Sequence, residues 1–180
     1  IVEGVIHNNM FAVSATSGSQ IVSTSSTADV ILLGLASDPG TMASFVENVT
    51  LNRIGTYRTV PVTPPAVGSE ALGASGIRAQ YVLNVLLEDV YTLNNSIGFN
   101  VSNTVYSHFE RCISYRNTYG NSATNDIYWG FFLNGGLPYY LESVYFIDCS
   151  SLANPVAYGQ TIGVASAGSF TDISLLRIEV

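Results

Sequence analysis

Five times along the chain a glycine followed by a hydrophobic residue precedes, by 9 to 15 residues, the centre of a strand-like segment that ends near a charge. The pairs are Gly34-Leu35, Gly76-Ile77, Gly98-Phe99, Gly130-Phe131 and Gly163-Val164, and the segments centre on Val49, Val85, Cys112, Val144 and Ile173. Successive centres lie 36, 27, 32 and 29 residues apart, within the range of stacked repeat architectures. A unit of this size cannot bury its apolar face alone, so it must stack on its neighbours.

The alignment predicts a register. Three residues before each centre stand Val46, Val82, Phe109, Leu141 and Phe170; two after it come Leu51, Leu87, Ser114, Phe146 and Leu175; five after it come Ile54, Val90, Asn117, Cys149 and Ile178. These are read as inward columns. Four residues after the centre the occupants are Arg53, Asp89, Arg116, Asp148 and Arg177, so the sign of the charge alternates from one repeat to the next. If the repeats are parallel strands about 4.8 Å apart, each charge sits between two opposite ones. Exposed pairs of this kind contribute about 0.5 kcal/mol each, so the column reports register more than stability.

Short strands, Gly/Asn/Ser/Thr-rich turns and the absence of a recognisable three-turn helix point to an all-β fold. The expected architecture is a right-handed parallel β-helix of about five to six coils, with an antiparallel β-sandwich as the alternative. A sandwich does not predict columns of like residues. One domain is expected over residues 1–180, with 1–33 an irregular first coil and 34–180 regular, and the whole a segment of a longer chain. The polar tract from Ser14 to Thr27 and the stretch from Gly55 to Ser75 read as loops, and the segment ADVILLGLAS as a buried strand.

The net charge is -7 and the chain contains no Lys, which argues against a nucleic-acid surface; a neutral polysaccharide fits this balance best. No apolar run reaches the length of a membrane span. Cys112 and Cys149 fall in different columns of the alignment and are expected to be two small buried hydrophobes that do not pair. Neither a metal site nor a cofactor is indicated. His108 shares its column with Phe45, Tyr81, Tyr140 and Ser169, which suits a packed or edge-stacked ring. Sequons occur at Asn48, Asn94 and Asn100, as an Asn-rich chain produces easily.

The stretch GIRAQYVLNVLLEDVYTLNNSIGFNVSNTVYSHFERCISYRN, with YYLESVYFIDCSS and SFTDISLLRIEV, resembles coils of the pectate-lyase-like β-helix superfamily, above all bacteriophage tailspikes. The likeness covers 34–180 as a pattern of NVxLxD-like and GI/GF strands, specific for an architecture and not for an enzyme. It implies a homotrimer on a virion tail, or otherwise extracellular, that binds and often cleaves the polysaccharide of a bacterial surface. No catalytic motif transfers residue by residue.

The alignment itself suggests where chemistry could sit. Glu110 and Glu142 fall in one column on adjacent repeats, which would set two carboxylates about 5 Å apart, near the spacing of a retaining glycosidase. Arg111, next to Glu110, is positioned to neutralise it instead. Asp126 is a third candidate acid, beside Tyr128 and Trp129, although a turn-capping Asp explains it as well. Tyr106, Tyr119, Tyr128, Trp129 and Tyr139 are candidate sugar-stacking residues, since sugar C–H faces pack on aromatic rings. A pectate-type lyase would need acidic calcium ligands and a free basic residue, and the arginines here are mostly committed to the charge column. Two functions follow: a surface-polysaccharide binder and possible hydrolase, or a non-enzymatic virion appendage or adhesin shaft that buries its aromatics against neighbouring subunits.

Overall fold

The structure is a computed structural model that describes residues 2–3, 20–60, 62, 74–117, 129–135, 141–152, 156–162 and 170–176. These residues form fourteen strands, and their single helical element is a 3-10 turn over Met42–Ser44. Every described strand pairing is parallel. The fold is therefore all-β, and the antiparallel sandwich is overturned. No described helix is long and apolar enough to cross a membrane.

The strands assemble into a nine-stranded and a five-stranded sheet. The larger sheet contains two ladders, because β6 (Ser75–Glu88) and β8 (Ile97–Glu110) are 14-residue strands that take different partners at their two ends. In the first ladder β3 (Ile31–Gly34), 75–80 of β6, 97–102 of β8, β10 (Trp129–Gly135) and β13 (Val156–Ile162) follow one another. The second ladder runs β1 (Val2–Glu3), β4 (Val46–Asn52), 82–88 of β6, 104–110 of β8, β11 (Leu141–Ile147) and β14 (Phe170–Leu176). The five-stranded sheet is the third: β2 (Gln20–Ser23), β5 (Gly55–Arg58), β7 (Tyr91–Leu93), β9 (Ile113–Tyr115) and β12 (Ser150–Leu152). Each pass of the chain thus visits the ladders in the same order.

Single residues of positive φ make the bends, and they too stand in columns. Tyr81 (φ 52°) matches Asn103 (φ 47°) between the first and second ladders. Within the second, Asn48, Asn84, Tyr106 and Ser143 align at φ 59°, 56°, 55° and 52°. At its end come Arg53, Asp89, Arg111 and Asp148, at φ 50°, 52°, 49° and 52°. One left-handed residue turns an extended chain sharply, and Asn tolerates that conformation best because its side chain bonds locally. Successive asparagines of the column also bond to one another, the Asn84 side-chain Nδ2 donating to Asn48 Oδ1 at 2.7 Å.

Inside, side chains stack pass upon pass. Phe99 lies on Phe131 at 4.9 Å and Phe109 on Phe146 at 4.7 Å, both pairs near parallel. Across the core Phe99 meets Phe109 and Phe131 meets Phe146 edge to face, at 6.4 and 5.5 Å. Such geometry adds about 0.5–1.5 kcal/mol per pair beyond burial. The third ladder contributes a polar inner column, Thr56, Thr92, Ser114 and Ser151, at most 2 % exposed. Opposite it runs a column of glycines, Gly76, Gly98 and Gly130. A Cβ on Gly76 would come within 2.8 Å of Thr56 Oγ1 and Thr92 Cβ, and one on Gly98 within 2.1 Å of Ser114 Oγ. The recurrent glycine is a packing requirement: hydroxyl side chains of one ladder fill the space where a side chain of another would stand.

The register corrects the sequence alignment in one repeat. Val85 and Val144 flank Ser107, not Cys112, so β8 is displaced by five residues from its expected place. Ser107 conceals this because it is polar at an inward position. Its hydroxyl, fully buried, accepts from the Val85 amide and donates to the Val105 carbonyl, each at 3.2 Å. The inward columns accordingly hold Thr104, Phe109 and Cys112 where Phe109, Ser114 and Asn117 were expected. The charge column survives with Arg111 in place of Arg116: the Asp89 amide donates to the Glu110 carbonyl and the Arg111 amide to that of Ile147. Arg116 (φ 52°) stands at a later bend, matched with Asn94 (φ 59°).

Smaller corrections follow. Gly34 pairs with Gln80 rather than with Gly76, and its φ of 103° places it at a bend. Strands β2 and β5 form inside stretches expected to be loops, whereas β3 is the strand expected there. Gly163, Ile178 and Arg177 lie outside the described residues.

Candidate functional site

The second ladder presents an outer face whose residues can be read as a grid. Along β4 it carries Glu47, Asn48, Thr50 and Asn52; along β6 Leu83, Asn84, Leu86 and Glu88; along β8 Val105, Tyr106, His108 and Glu110; along β11 Glu142, Ser143, Tyr145 and Ile147. Alternation turns these side chains away from the core, all at least partly exposed except Val105, which is 2 % exposed, while their neighbours Val85, Leu87, Phe109, Val144 and Phe146 enter the core. The left-handed column at Asn48, Asn84, Tyr106 and Ser143 resets the alternation by one residue, and so adds a further outward position to every pass.

Glu110 and Glu142 do not face one another on this grid. Glu110 pairs with Glu88 and Ile147, and Glu142 with Val105, so five residues of strand separate the two levels, on the order of 15 Å. That exceeds the separation used by retaining or inverting glycosidases. The carboxylate beside Glu110 is Glu88, which the alignment did not single out. Arg111 binds the group: its Nε donates to Asp89 Oδ1 at 2.7 Å, Nη2 donates to Asp89 Oδ2 at 3.1 Å and to Glu88 Oε1, and Nη1 lies 3.6 Å from Glu110 Oε2. Hydrogen bonds to Asp89 and then Glu88 hold the Arg111 pKa above its ordinary value. Asn52 Nδ2 donates to Glu88 Oε2 at 2.8 Å and continues the network onto the next pass.

This end of the grid is an ion-pair ladder at an exposed corner. Because Arg111 is 46 % exposed, Arg111→Ala is expected to cost only about 1 kcal/mol, and less in molar salt. Urea unfolding at low and high NaCl measures the difference. A loss that salt leaves unchanged would assign Arg111 a packing role instead.

At the middle of the grid lie the aromatic residues. The His108 ring rests on Tyr145 with centroids 4.9 Å apart and planes tilted by 30°; the stacked ring expected of His108 is there, on a different partner. Tyr106, the adjacent outward residue of β8, is 57 % exposed, and among the described residues its ring stacks on no other. Tyr81, also left-handed, differs in that its ring packs edge to face on Phe45 at 5.6 Å, in the column expected for the two. The sequence columns assign His108 a packing role and give Tyr145 none. With β8 in its true register, the i, i+2 spacing of Tyr106 and His108 would have shown that they share the outer face.

Trp129 begins β10 in the first ladder, between Ile97 and Val156. Asp126, Tyr119, Tyr128 and Tyr139 lie outside the described residues. No group of three or more His, Cys, Asp or Glu that could hold a metal ion occurs among the described residues. Of the sequon asparagines, Asn48 is exposed, Asn94 half-buried and Asn100 fully buried.

No family model, curated protein or solved structure matches the chain.

Proposed function

We propose that the chain is a right-handed parallel β-helix of the tailspike-like kind, which binds a bacterial surface polysaccharide on the outer face of its second ladder. Three parallel ladders visited in constant order, with bends made by columns of single left-handed residues, support the architecture. A homotrimer on a phage tail, or outside the cell, is the setting in which such a surface would work.

The observation that carries the binding assignment is Tyr106. It occupies a left-handed position that its column otherwise gives to Asn48, Asn84 and Ser143, at a cost of about 1 kcal/mol for a bulky residue, and its ring is exposed rather than packed. Beside it stand the His108–Tyr145 stack and, on the next pass, the Glu142 carboxylate. Aromatic faces with a flanking acceptor suit the C–H faces and hydroxyls of a neutral sugar. Glu110 is committed to Arg111 and stands apart from Glu142, so these two acids favour binding over hydrolysis.

The test uses Tyr106→Asn and a panel of capsular and O-antigen polysaccharides. The parent chain is expected to bind one polymer without shortening it, and the variant to bind at least about tenfold more weakly. The variant should melt at the same temperature or slightly higher, because Asn relieves the backbone. Equal binding by the variant would remove the site from this face. Shortening of the polymer would restore the hydrolase reading and direct attention to acids elsewhere, Asp126 among them.

A further inference from the structure

Spacing separated the two cysteines, but the register unites them. Glu110 pairs with Ile147 and Ile113 with Ser150, which leaves Cys112 directly over Cys149. The Ser150 amide donates to the Cys112 carbonyl at 2.9 Å and fixes this alignment through the backbone. Both are free thiols, both are 0 % exposed, and both belong to the inward column with Ile54 and Val90. Each thiol perturbs the titration of the other, as expected of neighbours in one column. Cys149 Sγ also lies 3.2 Å from the Phe109 carbonyl and Cys112 Sγ 3.6 Å from that of Leu87. In-register parallel strands about 4.8 Å apart place two Cα atoms inside the 4.4–6.8 Å window of a disulfide.

We propose that Cys112 and Cys149 form a disulfide-competent pair, closed by a small-molecule disulfide such as oxidised glutathione while the chain folds, that cross-links two successive passes through the core. The Cys112 thiolate attacks oxidised glutathione and releases one glutathione thiolate; the Cys149 thiolate then attacks the mixed disulfide and releases the second. The two cysteine sulfurs lose two electrons and two protons, and the glutathione disulfide gains them. Burial pushes the Cys112 thiol well above its ordinary pKa, so the folded chain holds it protonated and unreactive, and exchange belongs to the open chain. The bond would tie residues 113–148 into a closed loop and remove conformational freedom from the unfolded state.

The whole chain is unfolded, reduced, and refolded in glutathione buffer of oxidising or reducing composition. Oxidising buffer is expected to give a monomer about 2 Da lighter with no thiol titratable after denaturation, melting about 10 °C above the reduced form. Cys112→Ala and Cys149→Ala should each end either as one titratable thiol or as a mixed disulfide with glutathione, never as the lighter species, and should show no such gain in melting temperature in oxidising buffer. Two thiols surviving oxidising refolding into the native fold would overturn the proposal, as would an oxidised monomer that melts below the reduced one. If both single variants fail to fold, the mass and melting comparison on the unmodified chain still decides.

Discussion

Arg58→Met is expected to lower the unfolding free energy by about 3–5 kcal/mol, the largest loss foreseen for any single side chain here. Arg58 is fully buried, and its guanidinium donates to the Ala28 carbonyl at 2.6 Å, to the Ser25 carbonyl, to Asn95 Oδ1 at 3.3 Å and to Ser23 Oγ at 3.4 Å. Burial lowers its pKa, and the nearby Asp29 carboxylate acts against that shift. Methionine fills similar space but removes the donor from four acceptors, of which Asn95 is fully buried, each lost charged hydrogen bond costing about 1.5–3 kcal/mol before relaxation and solvation. The damage should spread, because Asn95 is one end of a chain of bonds. Its amide nitrogen and side chain both donate to Asn117 Oδ1, at 2.9 and 3.2 Å, and Asn117 Nδ2 donates to Ser114 Oγ at 2.7 Å. Arg58→Lys should recover little of the loss, since an ammonium cannot span the same acceptors. Chemical denaturation of the three proteins measures the series; a lysine variant as stable as the parent would show that charge alone matters.

Gly98→Ala comes second. Its Cβ would fall 2.1 Å from Ser114 Oγ and 2.5 Å from the Gly130 carbonyl oxygen, and the latter is backbone that cannot rotate away. A loss of at least about 3 kcal/mol is expected, at the upper end for overpacking, because two passes must separate to admit one methyl group. Gly76→Ala should be milder, since its contacts at 2.8 Å are all with side-chain atoms of Asn95, Thr56 and Thr92. Gly40 is the control: nothing lies within 4 Å of its Cβ position, and only its φ of 81° resists substitution, by about 1 kcal/mol. Thermal melts of the three alanine variants should rank 98, then 76, then 40 in severity. Equal effects at 98 and 40 would mean that the two passes yield readily to a methyl group and that close packing does not explain the recurrent glycines.

The all-β class and much of the strand register were legible where packing left a periodic mark. Gly76, Gly98 and Gly130 were found by spacing and do form one column, because the space they leave is filled in the same way on each pass. The pairing of Val49 with Val85 and of Val144 with Ile173 was also readable, as their segments repeat apolar residues at the same offsets. The third repeat failed at Ser107, where a hydroxyl satisfied by backbone groups stands in a hydrophobic column. The glycine-to-centre distance in β8 matches that in β6, but an apolar Cys112 five residues later matched the longer distance seen between β10 and β11. The candidate site inherited that slip. On the slipped register Glu110 opposes Glu142, Cys112 stands in a different column from Cys149, and Tyr106 and His108 are assigned unrelated roles. The alternating charges survived because arginine occupies both 111 and 116, so a wrong register returned the right sign.

The unbroken passage of β6 and β8 through two ladders also bears on how the chain finds its fold. Matched residues of these strands are only 22 apart in sequence, as at Val85 and Ser107, whereas Asn48 and Asn84 of β4 and β6 are 36 apart. Loop-closure entropy favours the nearer pair by about 0.4 kcal/mol, and that closure secures contacts in both ladders at once. The segment 75–110 therefore has the lowest entropic threshold for ordering, and it offers a template on each side. Assembly should begin in the interior of the chain and extend toward both ends, each added pass pairing with one already in place.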